Sequence, residues 1–115
     1  MTKQQMESLA QRQLEAYNKR DLEAFCACYH SEIKVTNLLA NEVSLEGMDR
    51  YREIYRTLFS SSPSLNCQLK SRIVLDNAVL DEEWVTGIPR FPNGLHAVAI
   101  YGFRDGLIDR VWFPR

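Results

Sequence analysis

Glu83 lies in the middle of a predicted strand, between Val79 and Val85, and is the sharpest candidate for chemistry in this sequence. If it faces a hydrophobic interior, loss of water around the charged form raises its pKa toward the range where a general acid or base works near neutral pH. The other arrangement has Glu82 and Glu83 straddling a strand, one solvated and the other paired with an arginine. Strand register decides between the two. The polar side chains that could share a pocket with Glu83 are Gln13, Tyr17, Asn37, Tyr55 and Tyr101, set among Phe25, Phe59, Ala97, Ala99, Val111 and Phe113. Tyrosines at helical spacing commonly pack in a core, but a buried hydroxyl must find a partner, and Gln13 and Asn37 can supply one.

Other chemistries lack their residues. His96 starts a strand segment and His30 ends a helical one, so neither has the i, i+4 partner or clustered carboxylates of a metal site; no metal ligand set and no cofactor are expected. Cys26 and Cys28 are two apart on a helical pattern, which points them to different sides, and with Cys67 they read as free, buried thiols in a reducing compartment. There is no Gly-rich phosphate loop, no Gly-x-Ser-x-Gly elbow and no Cys-x-x-Cys.

The elements that must position these side chains follow from periodicity. Met6, Leu9, Gln13, Leu14 and Tyr17 recur at helical spacing and predict a first helix over 3–18. Asp21 stands where an N-cap would, ahead of a second helix over 22–29 with Leu22, Phe25, Cys26 and Tyr29 on its inner face. A strand over 33–39 follows. Gly47 and Asp49 open a third helix, with Met48, Tyr51, Ile54, Tyr55, Leu58 and Phe59 as its apolar stripe, ended by Ser60-Ser61-Ser62-Pro63-Ser64. Strands over 65–75, 78–88 and 95–103 come next, and Asp105-Gly106 signals a tight hairpin into a last strand over 107–113. The order α-α-β-α-β-β-β-β predicts an α+β fold, with helices packed on one face of a curved sheet.

At 115 residues and 45% hydrophobic, the chain is long enough for one domain, 1–115, with a real core. Its 14 basic and 15 acidic residues are dispersed, so neither nucleic acid nor an anionic membrane is an expected partner. The polar start Met1-Thr2-Lys3-Gln4-Gln5 and the lack of a long apolar run point to a soluble, cytoplasmic protein. In Ala97-Val98-Ala99-Ile100-Tyr101 both alternating faces are apolar, and Trp84 and Trp112 belong to the outer one, which predicts a homodimer through that face.

Several segments resemble the SnoaL-like, ketosteroid-isomerase-like branch of the nuclear transport factor 2-like superfamily. They are Tyr17-Asn18-Lys19-Arg20-Asp21-Leu22-Glu23-Ala24-Phe25, Tyr29-His30-Ser31-Glu32-Ile33, Leu45-Glu46-Gly47, and Ile100-Tyr101-Gly102-Phe103-Arg104-Asp105-Gly106-Leu107-Ile108. The resemblance implies a cone of sheet and helices around a pocket, a scaffold shared by isomerases, cyclases, hydrolases, dehydratases and binding domains. Ketosteroid isomerases use a carboxylate base, a tyrosine and a protonated aspartate. By position these fall on Asn37, Gln13 and Ala99, and none can play the original part. The resemblance therefore implies the fold and argues against that reaction.

Three readings stand on the sequence. The first is a pocket that binds a small, largely apolar molecule with a carbonyl or hydroxyl group, held by Gln13, Asn37 and Tyr17. The second is an isomerase, lyase or hydrolase in which Glu83 moves a proton or activates water. The third is a structural module that fills its own pocket. A cavity of some hundreds of Å³ with a buried Glu83 would favour the enzyme.

Overall fold

The computed structural model describes residues 1–115. Thr2 opens α1 (Lys3–Asn18) with a reciprocal cap: its hydroxyl accepts from the Gln5 backbone N–H, and the Gln5 side chain accepts from the N–H of Thr2. The chain then turns at Arg20, which takes the left-handed conformation at φ 54°. Asp21 caps α2 (Leu22–Cys26) by accepting from the Ala24 N–H, as its position predicts.

From here the chain departs from the sequence-based expectation. The second helix stops at Cys26 instead of continuing to residue 29, and β1 spans Tyr29–Asn37. Tyr29 is claimed by the sheet, where it pairs with Ile108, and the Ile108 N–H donates to the Cys28 carbonyl. Tertiary pairing overrides a helical pattern of this length. A further strand, β2 (Glu42–Glu46), pairs with β1 and was not expected, because Leu45 is its one buried residue and leaves almost no apolar signal. Next come α3 (Met48–Ser61), β3 (Asn66–Val74), β4 (Val79–Thr86), β5 (Leu95–Arg104) and β6 (Leu107–Phe113). Asp105 and Gly106 both have positive φ, 54° and 78°, the pair of angles a two-residue hairpin turn needs.

The six strands lie in the order β2-β1-β6-β5-β4-β3, antiparallel except for β1 against β6. Register slips at Val35/Thr36, Leu69/Ser71 and Gly102/Phe103 bend the ladders. The curved sheet wraps its concave face around the three helices, giving the expected α+β cone with one more strand than predicted.

Pairing decides which side chains face in. Glu83 lies opposite Ala97, Asp81 opposite Ala99, and Tyr101 opposite both Val79 and Val111, so these residues share the concave face. Trp84 opposite His96, Glu82 opposite Val98 and Ile100 opposite Trp112 face outward. No helix is long and apolar enough to cross a membrane.

Candidate functional site

A cavity of about 400 Å³ opens between the concave sheet and the helices. Tyr17, Phe25, Tyr51 and Tyr55 wall it on the helical side, and Val85, Leu95, Ala97, Ala99, Val111 and Phe113 on the sheet side. The aromatic wall is a connected cluster: Phe25 stacks on Tyr51 at 7° between planes and meets Tyr55 at 4.6 Å, while Tyr17 packs edge-on to Phe59. Gln13, Glu83, Arg90 and Arg115 are the lining residues that are neither apolar, aromatic nor thiol.

Glu83 is 8% exposed and is the only carboxylate in the lining. Burial pushes its pKa up to about 7; the neighbouring Cys67 thiol, which donates toward the carboxylate, opposes the rise, the negative Asp81 adds to it and Arg72 opposes it. Cys67 is held in place from the helical corner. The Asn18 side chain accepts from the Cys67 backbone N–H at 2.7 Å and donates to its carbonyl at 3.0 Å, acting as one extra rung beside β3. Glu82, by contrast, faces outward against His96 and Ser71, whose hydrogen bonds lower its pKa.

Gln13 serves a different purpose from the one its sequence position suggests. Its Nε2 donates to the Ala10 carbonyl at 3.0 Å and to the Tyr101 hydroxyl at 3.1 Å, and its Oε1 accepts from the Tyr29 hydroxyl at 2.8 Å. Both amide protons are used within the fold, so Gln13 has none left for a ligand. The consequence falls on Tyr101: its oxygen accepts from Gln13, which leaves its own proton to be donated elsewhere. Burial raises the pKa values of Tyr17, Tyr29, Tyr51, Tyr55 and Tyr101, and the charge of Glu83 adds to the rise at Tyr17, Tyr55 and Tyr101. All five phenols are therefore neutral donors near pH 7, and three of them lie within the field of Glu83.

The structure thus brings Gln13, Tyr17, Tyr55, Glu83, Ala99, Tyr101, Val111 and Phe113 to one cavity. Asn37 is the exception. It ends β1 opposite Phe113, half-buried, and although its partner lines the cavity it is not itself part of the lining. Phe59 also stands behind the wall, not in it.

Sequence reasoning missed Asp81 and Arg72. Asp81 is fully buried beside Glu83 on β4 and receives two hydrogen bonds from Arg72, at 2.7 and 3.0 Å. Arg72 also donates to Gln11 on α1 at 3.1 Å. The pair is neutralised internally and ties sheet to helix. The available signal was the i, i+2 spacing of Asp81 and Glu83, which puts two carboxylates on one strand face and demands a cation for one of them. His30 bridges toward Asp105 and Glu82 holds His96, both away from the cavity, and no group of three or more His, Cys, Asp and Glu side chains is placed to hold a metal ion.

Comparisons with known proteins agree with this architecture. An uncharacterised protein of cystatin fold from Novosphingobium aromaticivorans superposes with a TM-score of 0.83 at 24% identity, covering 100% of this chain and 99% of that one. An NTF2-like protein of unknown function from Cytophaga hutchinsonii gives 0.77 at 13% identity, covering 94% and 87%. A Kribbella flavida protein provisionally described as a ketosteroid isomerase gives 0.80 at 18% identity, covering 97% and 79%. At these identities the likeness is one of fold, the nuclear transport factor 2-like cone. No curated protein sequence matches the chain. The SnoaL-like domain family model matches residues 10–111, from the middle of α1 into β6, and so takes in α2, α3 and β1 to β5 whole, with the second half of α1 and most of β6. By that match the chain belongs to the SnoaL-like domain family.

Proposed function

We propose that the cavity takes a small, largely apolar molecule with a carbonyl or hydroxyl group, and that Glu83 moves a proton on it, as an isomerase or lyase would require. One observation carries the reading: the single carboxylate in the cavity is buried, has its pKa pushed up to about 7, and is surrounded by neutral phenols. Such a group is ionised often enough to accept a proton and protonated often enough to return one. Mostly apolar walls with a few convergent polar groups are also what small-molecule sites of this volume usually have.

The chemistry can be written from these groups. The Glu83 carboxylate takes a proton from carbon next to a carbonyl, and the C–H electron pair moves onto the carbonyl oxygen as an enolate. The Tyr101 hydroxyl, held by Gln13, is the donor best placed to steady that oxygen, with Tyr17 as the second. The proton then returns from Glu83 at another carbon, which isomerises the molecule, or a group leaves from the β-carbon, which makes the step an elimination. This moves the proton-transfer role to β4, away from Asn37, whose amide has no titratable proton in this range.

The test is exchange in D₂O. Apolar ketones and enones incubated with the protein should exchange their α-protons for deuterium by NMR, faster as pH rises through about 7. Glu83→Gln should lower that rate by about 10²–10⁴-fold. Binding of the same compounds with no exchange at any pH would leave a binding protein, the reading that the apolar lining alone supports.

A further inference from the structure

The charges around the cavity are sorted by depth. The titratable carboxyl, Glu83, is buried, while the two guanidinium groups of the lining, Arg90 and Arg115, are on exposed residues at the mouth. Arg52, Arg56, Arg72 and Arg104 are each matched to a carboxylate. Arg90 and Arg115 form no ion pair. Each instead lies over an aromatic ring that itself lines the cavity, Arg90 over Phe91 at 5.4 Å and Arg115 over Phe113 at 4.9 Å.

That arrangement holds two cations at the opening without neutralising them. A guanidinium resting on a ring face keeps its N–H edge free, and the ring restricts where it can go. Arg115 already acts into the cavity, since its charge opposes the rise of the Tyr55 pKa. A neutral apolar ligand would need nothing from this rim. An anionic end, by contrast, would find two unpaired planar donors, and the body behind it would pass Phe91 and Phe113 toward Glu83.

We propose that the ligand has an apolar or aromatic body ending in a carboxylate, and that Arg90 and Arg115 hold this carboxylate at the rim while the body reaches toward Glu83. The inference depends on the cavity being a ligand site, and it names the class of molecule that site selects. A carboxylate is preferred to a phosphate monoester because a single negative charge is repelled less by Glu83 when that group is ionised, and because the planar fork of arginine matches two carboxylate oxygens.

The probes are 2-naphthaleneacetate, its neutral amide 2-naphthaleneacetamide, and 2-naphthyl phosphate, titrated calorimetrically at low ionic strength where charge is least screened. The acetate should bind roughly tenfold more tightly than the amide, as expected when a charge-assisted hydrogen bond is added. In the double variant Arg90→Gln, Arg115→Gln that preference should vanish while the amide binds as before, which also shows that the variant is folded. Glu83→Gln should keep or enlarge the preference. Equal affinities in the wild type, an unchanged preference in the double variant, or a phosphate that outbinds the acetate would each overturn the proposal. If the amide binds and no preference is found, only the rim assignment fails; if none of the three probes binds, the ligand cavity itself is refuted.

Discussion

At the scale of single residues, the account turns on what burial does to Glu83. Its pKa is raised from the ordinary 4.5 to about 7, so the folded chain holds a proton that the unfolded chain has released between those values. Stability from this group is complete below about pH 4.5 and falls as pH rises through about 7, the reverse of a carboxylate held in an ion pair. The ionisation cost above pH 7 is of the order of 3 kcal/mol. Glu83→Gln removes the titrating group, so urea unfolding at about pH 5 and pH 8 should show the variant gaining on the wild type at the higher pH. A stability difference that does not change with pH would contradict this. Glu83 was legible in the sequence because alternation along residues 79–85 put Val79, Glu83 and Val85 on one face. The partners of Gln13 were not legible: Ala10, Tyr29 and Tyr101 come together only once the helix is laid across the sheet. Asn37 shows a related limit of the pattern: alternation gives the face of a residue, and Asn37 pairs with the lining residue Phe113, but it does not give which residues of that face border the cavity.

At the scale of elements, the corner between α1 and α2 does more than reverse the chain. Asn18 binds both backbone groups of Cys67, and Arg20 donates to the Leu65 carbonyl at 3.1 Å, so the corner fixes the start of β3 against the helices. Cys67 in turn sits beside Glu83. Replacing Asn18 by alanine removes both hydrogen bonds and should cost about 1–3 kcal/mol in urea unfolding. It should also make the buried Cys67 thiol react faster with a disulfide reagent than it does in the wild type. An unchanged stability and thiol reactivity would mean that β3 is held by the sheet alone. The long helices and the last three strands were readable from strong periodicity and the Asp105-Gly106 turn. The end of α2 and the whole of β2 were not, since a five-residue element with one or two buried residues takes its form from the neighbour it pairs with.

At the scale of the molecule, the convex side of the sheet is the unexplained surface. Ile73 on β3 and Trp84 on β4 are 55% and 37% exposed, and Val98 and Ile100 on β5 and Trp112 on β6 carry the apolar face on across the sheet. Gly94 fits closely against the Trp84 ring, where an added Cβ would come within 2.4 Å of it, so a side chain there would displace the indole. We propose that two copies associate through this face. Sedimentation at micromolar concentration should give a dimer, and Trp84→Ala should weaken it about tenfold or more, as expected for a central aromatic anchor. A monomeric wild type would remove the idea and leave the face to be explained by some other contact.

The central claim is that Glu83 is a proton-exchanging carboxyl inside a ligand cavity, and its own titration tests that most directly. With the glutamate side chains labelled at the carboxyl carbon and Glu83→Gln used to assign the signal, the NMR shift should follow a single midpoint near pH 7, as burial requires. A midpoint near the ordinary value of 4.5 would place the carboxylate in water and leave the cavity without its acid–base group.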